Sequence, residues 1–277
     1  FEGDSIEAVE VCSGLTFAEG PVWVDARGSL FFSDFQIGRA DLNFTGRIVE
    51  YVPRGGCTTF LDDFGSNGLG LHSDGRVLAC RHDDQTVSAL DPASGELEVL
   101  VSDLDGTAFS SPNDVTMRSD GNLYFTDPAW QVGDRPELLP QRAYRRDPSG
   151  TVHVIDDIPR ANGITLSPDE TRLYVSDQGS VRVYDLADDG ATGTSASFVS
   201  SGSDGMAVDC AGNLYITTGG EVRVFAPDGQ ALGAITLPGG ADGTTNVAFG
   251  GADRLTLYIT GPSALYAVGL AIPGWPF

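Results

Sequence analysis

Lysine is absent from this 277-residue sequence, and all 16 basic residues are arginine. That excludes a Schiff-base lysine and a phosphate-loop lysine. Positive charge of any kind is scarce: 39 Asp and Glu against 16 Arg leave a formal net charge of −23. Nucleic acids and anionic membrane surfaces are held by basic patches, so neither is expected as a partner. No apolar run approaches the ~20 residues of a membrane-spanning helix, so no membrane insertion is expected. Histidine is limited to His72, His82 and His153, and cysteine to Cys12, Cys57, Cys80 and Cys210, without a CxxC pair or a zinc-ligand spacing. Four cysteines admit three complete pairings, and their spacing does not choose among them. Catalytic signatures are missing as well. Ser203 has Ser201 where a GxSxG elbow needs its first glycine. No HExxH, Walker or EF-hand pattern occurs. The acidity, and a start at Phe1 in place of Met, favour a secreted or periplasmic setting over a cytoplasmic one.

Glycine, by contrast, is abundant at 36 residues, and turn dipeptides recur throughout. They punctuate one phrase written six times: GSLFFSD (28–34), GRVLACR (75–81), GNLYFTD (121–127), TRLYVSD (171–177), GNLYITT (212–218) and LTLYITG (255–261). A short apolar strand and a turn precede each phrase. Third strands follow at 48–52, 86–92, 142–148, 180–186, 221–227 and 264–270, and fourth strands at 57–63, 97–103, 151–157, 195–201 and 231–237. Repeats of this length with four strands each predict an all-β fold, a six-bladed β-propeller of four antiparallel strands per blade, as one domain over 1–277. The last unit lacks its fourth strand. IEAVEV (6–11) has the missing pattern, so the N-terminal strand is expected to complete the last blade and close the ring. The longest segment without strand pattern, 128–141, is a candidate lid or rim loop. A monomer is expected.

In a propeller the first strand of each blade lines the central channel, so equivalent positions form a ring. Glu19, Asn67, Asn113, Asn162, Asp204 and Asn246 introduce the six first strands. All carry side-chain oxygen, and none is a soft ligand, which suits a hard divalent cation. Asn-Gly, Asp-Gly and Asn-Asp also serve as turns. Glu19 is no turn former, however, and the spacing is regular. His82 is a candidate at the channel mouth, whereas His72 and His153 read as structural. Asp34, Asp127 and Asp177 read as turn makers at strand ends.

FAEGPVW (17–23), SPNDV (111–115), LYFTDP (123–128), ANGITLSPDETRLYVSD (161–177), SDGMAVDCAGNLY (203–215) and TNVAFGG (245–251) resemble the senescence-marker-protein, gluconolactonase and luciferin-regenerating-enzyme family over essentially the whole chain. The resemblance implies a six-bladed propeller with a divalent metal in its channel, Ca2+ by preference with Zn2+, Mn2+ or Mg2+ as alternatives. It implies hydrolysis of sugar lactones, with wording like that of bacterial gluconolactonases. Residue by residue, it makes Glu19, Asn162 and Asp204 metal ligands, and Asp204 also the general base. Asn113 would bind substrate or complete the metal shell, and His82 in CRH (80–82) would lie near the pocket. Ser111 stands where some members carry a sugar-binding arginine. With Asn67 and Asn246 beside the metal, the pocket is expected to suit neutral lactones, unless Arg135 or Arg142 enters it. A phosphotriester hydrolase of the same architecture and a non-enzymatic calcium-binding propeller are the alternative readings.

Overall fold

In a computed structural model that describes residues 5–36, 45–132 and 137–275, every regular element is a strand. Apart from a two-stranded ribbon, Asp103–Leu104 with Thr107–Ala108, the strands form six radial sheets around a channel. The first blade takes Ala18–Val24, Ser29–Phe35, Gly46–Val52 and Gly56–Asp62, counted outward from the channel. The second takes Ser66–Leu71, Val77–Arg81, Thr86–Leu90 and Leu97–Val101. The third takes Val115–Met117, Leu123–Asp127, Arg142–Arg146 and Val152–Asp156. The fourth takes Ile164–Leu166, Arg172–Ser176, Val181–Leu186 and Thr192–Val199. The fifth takes Met206–Val208, Leu214–Thr218, Glu221–Phe225 and Ala231–Thr236, and the sixth Val247–Gly250, Thr256–Thr260 and Ala264–Gly269. The protein is a six-bladed β-propeller.

Alternation along the recurring phrase builds the core. Successive side chains of a strand point to opposite faces, so one strand feeds the interfaces with both neighbouring blades. In the second blade Val77 and Ala79 pack with Val22, Phe31 and Ile48 of the first. Leu78 and Cys80 pack with Val115, Phe125 and Tyr144 of the third. Each fully buried Leu, Val or Phe contributes about 1.5–3 kcal/mol. The blades are therefore held mainly face to face, since strand hydrogen bonds run within a blade.

Ring closure differs in detail from the expectation. The N-terminal segment does not form one strand at 6–11. Ser5–Glu7 runs parallel to Ala231–Thr236 and adds a fifth strand to the fifth blade. Val9–Ser13 then pairs antiparallel with Ala264–Gly269 and completes the sixth. The step falls at Ala8, whose N–H donates to the Thr236 carbonyl at 2.9 Å. Its small side chain is buried with Val222, Ile235 and Tyr266. A disulfide from Cys12 to Cys57 ties the closing strand onto the outer strand of the first blade. Cys80 is a buried thiol and Cys210 an exposed one. Residues 5–13 thus bind three consecutive blades.

Removing that tie should loosen the closure. Reduction, or the double change Cys12→Ser and Cys57→Ser, is expected to cost about 2–4 kcal/mol, on the order of 5–10 °C in Tm. Thermal melts with and without reductant check this. A wild-type melt indifferent to reductant would show that the disulfide carries no closure energy.

Candidate active site

The channel residues are placed by backbone bonds to the second strand of their own blade. Asn113 N–H donates to the Thr126 carbonyl at 2.8 Å, and Thr126 N–H returns to the Asp114 carbonyl at 3.0 Å. Asn162 and Gly163 bracket Ser176 in the same way, both bonds at 2.9 Å. In the sixth blade the bracketing pair around Thr260 is Thr245 and Asn246, at 2.8 and 2.9 Å. This register corrects the ring read from the sequence. Thr245, not Asn246, is equivalent to Asn113 and Asn162, and Asn246 stands one position further along, level with Asp114 and Gly163.

Hydroxyls fasten five of the six blade junctions, and at the second-to-third the Gly68 N–H donates to the Asn113 carbonyl at 2.6 Å. Thr126 Oγ1 donates to the Asn162 carbonyl (2.7 Å), Ser176 Oγ to the Ser203 carbonyl (2.7 Å) and Thr217 Oγ1 to the Thr245 carbonyl (2.9 Å). Thr245 Oγ1 donates to the Ala18 carbonyl at 2.6 Å, and Ser33 shares a 2.6 Å bond with Ser66. The carbonyls they hold belong to, or directly precede, the candidate ligands.

The next layer is nearly free of side chains. Gly20, Gly68, Gly163 and Gly205 stand so close to the neighbouring blade that an added Cβ would overlap it; on Gly68 it would lie 2.5 Å from the Asn113 carbonyl and on Gly163 2.5 Å from that of Asp204. Only Asp114 and Asn246, from blades on opposite sides of the ring, carry side chains there. Asp114 Oδ1 accepts the Val115 N–H (3.0 Å) and Oδ2 the Ile164 N–H (3.2 Å). The Asn246 amide is within polar reach of the carboxylates of both Glu19 and Asp114.

Glu19, Asp204 and Asp114 consequently form one electrostatic group. Burial, then the charges of Asp204 and Asp114, holds the Glu19 carboxyl well above the usual range. Burial pushes Asp204 up to about 7, opposed by the facing Asn162 amide. It pushes Asp114 up to about 7 as well, partly offset by the two N–H bonds. Among the described residues, the groups that shift them include no arginine. Enclosed carboxylates without a protein cation, next to amide oxygens, are the donor set of a hard divalent ion. Among the described residues, no three acidic, His or Cys side chains converge tightly enough to hold a metal alone, so a shell here has to include asparagine oxygen. Glu19, Asp204 and Asn162 fit that requirement.

The other candidates spread around this group. Asn113 and Asn67 are buried, and Asn113 Nδ2 has no partner among the described residues, a donor open to an incoming oxygen. Ser111 is buried and hydrogen-bonds Gln131 through its hydroxyl. His82 is buried edge-on against Phe35, with ring centroids 5.0 Å apart. Arg142 is engaged in an ion pair with Asp157. Arg135 lies outside the described residues. The 128–141 segment is anchored where it is described: Leu139 N–H donates to the Ala108 carbonyl at 3.0 Å, and its partly buried side chain packs against the core. Asp114 and Gln131 are absent from the candidates taken from sequence. Asp114 follows Asn113 in the signature itself and was legible there, whereas Gln131 sits in a loop without pattern.

A family model described as SMP-30/Gluconolactonase/LRE-like region matches residues 17–263. The chain belongs to that family. It is 31% identical over 254 residues to a gluconolactonase of Zymomonas mobilis, covering 82% of this chain and 71% of the relative. It is 33% identical over 259 residues to a 6-deoxy-6-sulfogluconolactonase of Pseudomonas putida, covering 87% and 82%. The solved structure of a gluconolactonase from Xanthomonas campestris superposes with a TM-score of 0.83 at 30% identity, covering 96% of this chain and 88% of that one.

Asp204→Asn removes one of the mutually repelling carboxylates without changing shape. The variant's Tm in chelator is expected to rise by a few degrees over that of the original protein. Its stabilisation by added Ca2+ should largely vanish. Paired melts in chelator and in Ca2+ test both; an unchanged response to Ca2+ would remove Asp204 from the ligand set.

Proposed function

We propose that this chain hydrolyses sugar lactones with a divalent cation, Ca2+ by preference, at the Glu19, Asn162 and Asp204 group. The observation that carries the reading is that buried Glu19, Asp204 and Asp114 act on one another electrostatically, with no described arginine among the groups shifting them. The lactonase names of the relatives support the substrate class.

A lactone is a ring ester with an electrophilic carbonyl carbon. A bound divalent cation supplies positive charge for the carbonyl oxygen as it becomes an oxyanion. Asp204 accepts the proton that water loses as its oxygen bonds the carbonyl carbon. The ring C–O bond then breaks, the departing alkoxide takes up a proton, and the hydroxy acid leaves. Asn113 Nδ2 is the free donor that orients a substrate oxygen. At the neighbouring position Ser111 and Gln131 offer a neutral surface, since their polar atoms pair with each other. Arg142, one of the two arginines near this segment, is held by Asp157. We therefore assign the pocket neutral polyhydroxylated lactones, in contrast to the sulfonated substrate in the name of the Pseudomonas putida relative. The Cys12–Cys57 bridge favours an oxidising compartment as its place of work.

Hydrolysis of a sugar-lactone panel, with and without chelator and after metal add-back, tests the reading. Glucono- or xylonolactone should be opened in a chelator-sensitive way, and Asp204→Asn should lower kcat by about 10²–10⁴-fold. The neutral substrate should exceed 6-phosphogluconolactone in kcat/KM by at least about tenfold. Turnover indifferent to chelator, or hydrolysis of a phosphotriester in place of every lactone, would overturn it.

A further inference from the structure

Asp127, at the end of the second strand of the third blade, reads from sequence as a turn maker. Its surroundings are not those of a turn. The residue is 0% exposed, and both carboxylate oxygens point back at the segment preceding Asn113. Oδ2 accepts the Ser110 N–H at 2.8 Å and Oδ1 the Ser111 N–H at 2.5 Å. That segment is buried and belongs to no strand, so its backbone groups need partners from side chains. Gln85, reaching across from the second blade, supplies the donors: its Nε2 lies 2.7 Å from the Phe109 carbonyl and 3.1 Å from that of Ser110. Two side chains thus satisfy four consecutive polar groups just ahead of Asn113.

The acids at the other strand ends act in different ways. Asp34 grips Thr16 and Phe17 ahead of Glu19 in the same manner, at 2.8 and 3.0 Å, but shares its charge with Arg47. Asp177 instead turns forward to Gly179 and Ser180, both at 2.7 Å, and holds nothing ahead of Asn162. Asp83 reaches back as Asp34 does, accepting the Gly65 N–H at 3.0 Å ahead of Asn67, and it pairs with Arg81.

We propose that Asp127 is a positioning residue for substrate recognition. It holds the Ser110–Ser111 turn so that Ser111, with Gln131, and the Asn113 amide face the lactone ring. Cation binding, which draws on the first, fourth and fifth blades, does not depend on it. The proposal rests on the lactonase reading.

The test is Asp127→Asn, which keeps the shape but presents an NH2 group to one of the two N–H donors. Relative to wild type, KM for the preferred lactone should rise at least about tenfold, with kcat within about threefold. The Kd for Ca2+ by calorimetry should stay within about twofold, and amide exchange across 109–113 should accelerate at least about tenfold while 17–22 stays protected. Unchanged KM and exchange would leave Asp127 a turn maker and overturn the proposal. So would a parallel loss of Ca2+ affinity, which would mean collapse of the channel. If Asp127→Asn does not fold, Gln85→Ala loosens the same segment from the neighbouring blade and must raise KM and exchange likewise; no effect there also overturns it. A wild-type protein that opens no lactone defeats the lactonase reading, while the exchange measurement still decides whether Asp127 holds the segment.

Discussion

The structure depends on a band of short hydroxyl side chains that crosses from blade to blade around the channel. Strand hydrogen bonds act within a blade, and hydrophobic packing between blades has no direction, so neither fixes how far one blade is displaced along its neighbour. The bonds from Thr126, Ser176, Thr217 and Thr245 to carbonyls of the next blade do fix it, because each joins one donor to one acceptor. Those acceptors lie at or next to Asn162, Asp204, Thr245 and Glu19. The same bonds that set the blade register therefore set the depth of each candidate ligand.

Close approach of the blades has a second consequence. Glycines at 20, 68, 163 and 205 let neighbouring blades meet closely beside the channel, so the layer next to the ligands carries two side chains alone. Asp114 enters from one side and Asn246 from the other, and the amide mediates between Asp114 and Glu19. Burying acids beside one another is unfavourable unless a cation or a proton compensates. In a chain of net charge −23 the acidic surface gives no relief, and it concentrates cations from solution around the molecule.

Much of this was legible in the sequence because propeller geometry converts repetition into position. Six copies of one phrase placed the strands, and the residues introducing them placed Glu19, Asn162 and Asp204 in one group. Reading failed where the repeat was imperfect. Thr245-Asn246 lacks the glycine that marks the register in Asn67-Gly68 and Asn162-Gly163, so the sixth ring member was read one residue late. Asp114 was passed over because it stood in a glycine's place and looked like the second half of a turn. The segment at 5–13 alternates like a single strand. Only the buried Ala8 shows that it serves two blades, and burial at one alanine leaves no trace in a sequence. Gln131 and the Cys12–Cys57 pairing depend on three-dimensional neighbours with no periodic signal.

The junction between the sixth and first blades joins these features along one radius. At its outer end Cys12 bonds Cys57. Midway, Trp23 of the first blade stacks on Tyr258 of the sixth, with ring planes 4° apart and centroids 5.9 Å apart. At the inner end Thr245 Oγ1 holds the Ala18 carbonyl, one residue before Glu19. The ring closes here because the sixth blade is built from both ends of the sequence: Val9–Ser13 pairs with Ala264–Gly269 and then leads directly into the first blade. Covalent, aromatic and hydrogen-bonded ties at three depths hold that closing strand and its blade against the first. Since Glu19 sits directly beside the innermost tie, the position of a candidate ligand depends on the ring being closed. Closure and site assembly are therefore two aspects of a single packing event.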